Sequence, residues 1–261
     1  MNNISFGDTI CKNIYHFFQG ELFYWAYQSF LYTIFAVHLF PILGTVFYIE
    51  TSHFLKTALY CRKRIETPLY YFSLVHNLGL AGFSFFTLKE LCTIIWTQEI
   101  TAGHTIYMSQ PYIKSLIFWF YISKYYEYFD TFLLYLKGRD PIFLQKYHHI
   151  GAVICWHLCY VYNVDMIIFA TIVNACVHTI MYSYYLATLL KINIRSMRMY
   201  ITSMQIIQLL SGNIVSIYYY VPPVETYWNY SIIIIFNAYA FGLLYLFGKF
   251  MVENYFPIKN A

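Results

Sequence analysis

Lys124, Glu127, Asp130 and Thr131 lie inside SLIFWFYISKYYEYFDTFLLYL, a stretch that otherwise reads as a membrane-spanning helix. Charges at membrane depth are costly and face a bundle interior or a water-filled cavity, so they mark a functional site by default. Lys124, Glu127 and Thr131 recur at i, i+3 and i+7 and share one helix face, with Asp130 on its flank. Salt bridges from such a face can hold a bundle together. The same carboxylates can instead support a catalytic imidazole, fixing its tautomer and raising its basicity. His148 and His149 open an apolar segment. Neighbours on a helix point about 100° apart, so the pair divides its tasks: one ring can face a cavity while the other bonds a neighbouring helix. Asn174, His178 and Tyr182 recur at i, i+4 and i+8, with Tyr185 close to the same stripe. They read as an inter-helix polar seam or as a second catalytic histidine held by its neighbours. Gln205 and Gln208, at i and i+3, can glue helices through their amides or donate to a substrate carbonyl or a developing oxyanion. The other histidines carry less weight. His16, His53 and His104 read as loop residues, and His38, His76 and His157 as lone intramembrane histidines more suited to structure than to ligation.

The elements that must position these groups are helices in lipid. The chain is 60% hydrophobic and 11% charged, against roughly 25% charged in a soluble domain. Aromatics make up 23%, including 30 tyrosines, which suits rings at membrane interfaces and along a tunnel. A net charge of +4, with no basic run longer than Arg62-Lys63-Arg64, is no nucleic-acid footprint. No basic segment leads directly into an apolar one at the N-terminus, so no cleaved signal peptide is expected. The six cysteines match no zinc or disulfide framework, and Cys155, Cys159 and Cys176 read as buried apolar filler.

A span needs about 20 apolar residues. Seven candidates follow, at 29–50, 67–87, 112–136, 146–162, 165–189, 199–221 and 228–250. The fourth is short and begins with polar residues, Pro41 is expected to kink the first, and Pro222-Pro223 to close the sixth. With no linker, repeat or low-complexity segment, residues 1–261 read as one domain. Basic residues set orientation. Lys56, Arg62, Lys63, Arg64, Lys137, Arg139, Lys146, Lys191, Arg195, Arg198, Lys249 and Lys259 fall on one side, and only Lys12, Lys89 and Lys114 on the other. That asymmetry puts the C-terminus in the cytosol and the N-terminus outside. All four polar clusters then converge on the cytosolic half of the membrane.

In this order and at this depth the clusters resemble the ELO family of very-long-chain fatty acid elongases, condensing enzymes of the endoplasmic reticulum. Residues 124–131, KYYEYFDT, are similar to its KxxExxDT box, and Tyr147-His148-His149 to the end of its HxxHH box. Asn174 through Tyr185, NACVHTIMYSYY with Met181 and Tyr182 inside it, resembles NxxxHxxMYxYY, and Gln205-Ile-Ile-Gln208 resembles QxxQ. His76-Asn77-Leu78 also matches a family feature. The one departure is Gln145 at the first position of the histidine box, as in some polyunsaturated-acid elongases of protists and algae. It removes one imidazole and leaves His148 and His149.

The resemblance implies an all-α polytopic membrane protein of seven transmembrane helices, forming a helical barrel around an acyl tunnel. It implies a multi-pass protein of the endoplasmic reticulum that condenses long-chain acyl-CoA with malonyl-CoA to 3-ketoacyl-CoA, CoA and CO2, with no cofactor and no metal. His148 would form an acyl-imidazole and His178 assist. His149, Lys124, Glu127 and Asp130 would support the histidines, while Asn174, Tyr182, Gln205 and Gln208 would position thioester or malonyl groups. Lys137, Arg139, Lys146, Lys191, Arg195 and Arg198 are candidates to meet CoA phosphates, or serve topology alone. Expected partners are membrane lipid, the two CoA thioesters, a second copy in a homodimer, and the reductases and dehydratase of the cycle. Two rivals stand beside this. A di-iron desaturase or hydroxylase needs about eight histidines in HxxxH and HxxHH boxes. This chain has nine, scattered, with one adjacent pair and no HxxxH. A seven-helix transporter or receptor would use the polar clusters without covalent chemistry.

Overall fold

A computed structural model describes residues 30–57, 66–97, 107–217 and 227–256. The described residues form eight α-helices: α1 (Phe30–Thr57), α2 (Glu66–Thr97), α3 (Pro111–Tyr126), α4 (Tyr128–Leu136), α5 (Phe143–Val161), α6 (Met166–Leu189), α7 (Met197–Ser216) and α8 (Tyr227–Tyr255). A short 3-10 turn, Tyr107–Ser109, precedes α3. Among the described residues there is no strand. A chain this apolar must satisfy every backbone N–H and C=O within itself, and helices do so within one segment. By length and composition alone α2, α6 and α8 can each cross a membrane. The chain is an all-α, multi-pass membrane protein.

Two compact units divide it, Met1–Phe47 and Tyr48–Ala261. The first contributes residues 30–47 of α1 to the description, and that helix runs without a break through Pro41. The second holds everything below. Within it the packing neighbours close on themselves, α2 on α6, α6 on α7, α7 on α8, α8 on α5, α5 on α3 and α3 back on α2. Val75, Phe85, Trp119, Ile207, Ile214, Phe241 and Tyr245 stand exposed on the outer faces of this ring. In water such a surface would drive association, whereas in a bilayer it meets lipid.

Several helices depart from the expected spans. α1 and α2 reach Thr57 and Thr97, and α5 begins at Phe143. Hydropathy ends where apolar residues end, but backbone hydrogen bonding continues into polar residues whose side chains reach water. His53 and Lys56 therefore ride the last turns of α1 and are not loop residues. The span expected at 112–136 is two helices, not one. α3 ends at Tyr126, and the Asp130 N–H bonds the Glu127 carbonyl three residues back at 3.0 Å, a tightened turn with Glu127 at the joint. α4 closes with Gly138 at φ 68°, its N–H on the Tyr135 carbonyl and the Arg139 N–H on the Leu134 carbonyl. Cys155 and Cys159 are buried free thiols and Cys176 is half-buried. His16, His104, the Arg62–Arg64 run, Lys12, Lys259 and Pro222-Pro223 lie outside the described residues.

Candidate functional site

Lys124 is buried to 1% exposure at the end of α3, where an ammonium needs partners. It donates to Glu127 Oε1 at 2.8 Å and to Asn174 Oδ1 of α6 at 2.7 Å. Its Nζ also sits 4.2 Å from the Phe120 ring centre and 5.1 Å from that of Trp156, on negative π faces. The α3–α4 joint keeps Glu127 beside this charge. The same carboxylate oxygen lies 3.3 Å from His178 Nδ1 of α6, close but not aligned as a hydrogen bond. Glu127 Oε2, fully buried, has no hydrogen-bond partner.

Helical spacing places Asn174, His178 and Tyr182 on one stripe of α6, and all three are buried. Tyr182 donates to Asp130 Oδ2 at 2.6 Å, while Asp130 Oδ1 pairs with His76 Nε2 at 2.9 Å. His76 of α2 is thus tied to the candidate site through Asp130. Thr131 turns from the Lys124–Glu127 pair. Its Oγ1 meets the Tyr48 hydroxyl at 3.0 Å and the Gln145 Nε2 at 3.3 Å. Gln145 therefore works as an amide donor where the resembled family places an imidazole.

His148 and His149 divide as their 100° separation requires, though both reach the cavity. His149 is buried against the rings of Tyr48 and Tyr128. His148 is half-buried, its ring 6.3 Å from that of His178, and its Nδ1 lies 3.0 Å from the Tyr239 hydroxyl of α8. Tyr239 carries no motif, and sequence reading missed it, as it missed Tyr48. Gln205 Nε2 approaches the Met181 sulfur at 3.5 Å.

These groups line one cavity of about 810 Å³. Glu127, Asp130, Gln145, His148, His149, Asn174, His178, Met181, Tyr182, Tyr185, Gln205 and Gln208 all border it. Lys124 and Thr131 stand behind the wall. Of the six basic residues, Lys137, Arg139 and Arg198 reach the cavity, whereas Lys146, Lys191 and Arg195 do not. Partial desolvation, then the charge of Arg139, pulls the Lys137 ammonium below the ordinary lysine range. Glu127, His148 and His178 each offer one donor atom within 4.8 Å of the others, a set able to hold a metal ion. The Lys124 ammonium on the same carboxylate opposes a second cation there. The arrangement presents three imidazoles, of His148, His149 and His178, and a paired carboxylate to a space of ligand size, with three cationic side chains in its lining. That suits nucleophilic or acid–base chemistry on an anionic ligand.

The sequence matches the family model described as ELO, the GNS1/SUR4 family, over residues 29–261. It is 30% identical over 228 residues to fatty acid elongase sre1 of Dictyostelium discoideum, covering 84% of each chain. It is 30% identical over 203 residues to very long chain fatty acid elongase 4 of Trypanosoma cruzi, covering 68% of each. Fatty acid elongase 2 of the same organism is 34% identical over 161 residues, 58% of this chain and 57% of that one.

Proposed function

This chain belongs to the ELO (GNS1/SUR4) family and is an enzyme of fatty acid elongation, and from that premise we propose that it condenses long-chain acyl-CoA with malonyl-CoA through a covalent acyl-histidine. The observation that carries the reading is His148, half-buried on the cavity wall and held at one ring nitrogen while His178 and Glu127 stand beside it. Its free nitrogen attacks the thioester carbonyl, the N–C bond forms, the C–S bond breaks and CoA leaves as thiolate, to be protonated by water. Covalent capture splits one hard step into two. Malonyl-CoA then loses CO2, and its carbanion attacks the acyl carbon and restores the imidazole. His178, steadied by Glu127, hydrogen-bonds the thioester carbonyl. Asn174, Tyr182, Gln205 and Gln208 position the two thioesters, and Lys137, Arg139 and Arg198 meet CoA phosphates. The acyl tail runs from the cavity into an apolar tunnel among seven transmembrane helices. The protein resides in the endoplasmic reticulum membrane with its N-terminus lumenal and C-terminus cytosolic, and works as a homodimer beside the reductases and dehydratase of the cycle. No cofactor takes part.

Intact mass after exposure to long-chain acyl-CoA tests this. We expect a gain of one acyl group, absent in His148→Ala and discharged by malonyl-CoA as 3-ketoacyl-CoA. Product without an adduct would remove the covalent step, and product from His148→Ala would remove the nucleophile. A second reading rests on the donor set Glu127, His148 and His178. It predicts stoichiometric iron or zinc in the purified protein and activity lost on chelation.

A further inference from the structure

Tyr239 lies on α8, does not line the cavity, and makes two contacts with one residue. Its hydroxyl donates to the His148 backbone carbonyl at 3.0 Å, and the same oxygen lies 3.0 Å from His148 Nδ1. A hydroxyl carries one proton and a carbonyl oxygen only accepts. If that proton turned to Nδ1, the carbonyl and the hydroxyl would face each other at 3.0 Å as two acceptors. With the proton on the carbonyl, Nδ1 must be the donor, and the ring carries its hydrogen there. The lone pair then belongs to Nε2.

From this geometry we propose that Tyr239 is a positioning residue that fixes the tautomer of His148, making Nε2 the nucleophilic nitrogen. The proposal rests on the reading of His148 as the acylated residue. A second observation gives the contact its rigidity. Gly151, one turn beyond His148, stands so close to the Tyr239 ring that a Cβ there would collide with it, and a Cβ at Gly242 would meet the Tyr147 hydroxyl. The ring is set directly against the α5 backbone, which lets its hydroxyl reach a carbonyl already used within the helix.

The chemistry follows the proton. Attack by Nε2 on the thioester gives an acyl-imidazolium that keeps its Nδ1 hydrogen, and the thiolate departs with the electron pair of the C–S bond. The cation makes the acyl carbon more electrophilic, and the Tyr239 oxygen receives the strengthened Nδ1–H bond. When the malonyl-derived carbanion attacks, the C–N bond breaks and the neutral Nδ1–H imidazole returns. No proton has to enter or leave Nδ1 during the cycle, so a tautomer set once serves every turnover.

Tyr239→Phe removes the hydroxyl and keeps the ring that packs on Tyr147 and Phe236. The wild type and this variant would be labelled with [15N]histidine in lipid nanodiscs, His148→Gln assigning the signal, and acylation by long-chain acyl-CoA would be timed. We expect His148 protonated at Nδ1 in the wild type and not held there in the variant. The acylation rate should fall about tenfold or more, as when a triad carboxylate no longer fixes its histidine's tautomer, with the KM for acyl-CoA unchanged. An Nε2–H His148 in the wild type would overturn the proposal, and that measurement stands even if the variant does not fold. Acylation of Tyr239→Phe at the wild-type rate would overturn it too. An adduct absent from His148 in the wild type would also end it. The spectrum then tells the failures apart, since a retained Nδ1–H means that the nucleophile was misassigned and the tautomer was not.

Discussion

At the scale of single residues the site is organised by one buried cation. Lys124 satisfies Glu127 and Asn174 together and lies on two aromatic faces. Removing the ammonium leaves Glu127 an uncompensated buried anion, so Lys124→Met should cost about 3–5 kcal/mol. The double variant Lys124→Met/Glu127→Gln should recover much of that loss without regaining activity, because the two sites share one interaction. Thermal unfolding in detergent of wild type, both single variants and the double variant measures the coupling. Equal losses that simply add would mean that the pair is not a unit. Lys124, Glu127 and Asn174 were legible in the sequence because charged and amide groups are conspicuous in apolar helices. Tyr48 and Tyr239 were not. Each is one tyrosine among 30, and its role depends on which helix lies opposite, which no local spacing encodes. Thr131 shares the Lys124 face by spacing but turns to Tyr48, since the tightened turn at Glu127 shifts the register between them.

At the scale of elements, α6 carries the most, because its i, i+4, i+8 stripe faces α3 and α4 with three buried polar side chains. Its C-terminus holds a strain that can be relieved. The Lys191 N–H bonds the Thr188 carbonyl and the Ile192 N–H the Ala187 carbonyl, a closing turn like that at Gly138, yet Lys191 has φ 62°. A left-handed backbone costs a residue with a Cβ about 1–2 kcal/mol. Part of the relief is offset by glycine's freer unfolded chain, so Lys191→Gly should stabilise by about 0.5 kcal/mol, roughly 1–2 °C in Tm. A fall in Tm would mean that the lysine side chain does more than end a helix. Helix identity was readable along the chain because apolar runs long enough to span are rare elsewhere. The break at Glu127 was not readable. Nothing in KYYEYFDT disfavours a continuous helix, and the turn tightens where Asp130 is drawn to His76 and Tyr182 on two other helices.

At the scale of the whole molecule, the outer faces of the second unit are apolar and the polar groups turn inward, so the remaining question is which way the chain sits. The proposed orientation follows from twelve basic residues against three, a bias that sets topology through the short loops. It places Asn3-Ile4-Ser5 in the lumen, and these residues form an Asn-x-Ser acceptor for N-glycosylation. The acceptor precedes the first expected span by 26 residues, ample reach for a membrane-bound transferase. Expressed in sealed eukaryotic microsomes, the protein should carry a glycan removable by endoglycosidase and lost in Asn3→Gln. An epitope added after Ala261 should be digested by protease supplied outside the vesicles. A protected epitope would reverse the orientation and place Lys137, Arg139 and Arg198 on the lumenal side, away from cytosolic CoA thioesters. The condensation reading would then have no route for its substrates, so this topology and the chemistry of His148 stand or fall together.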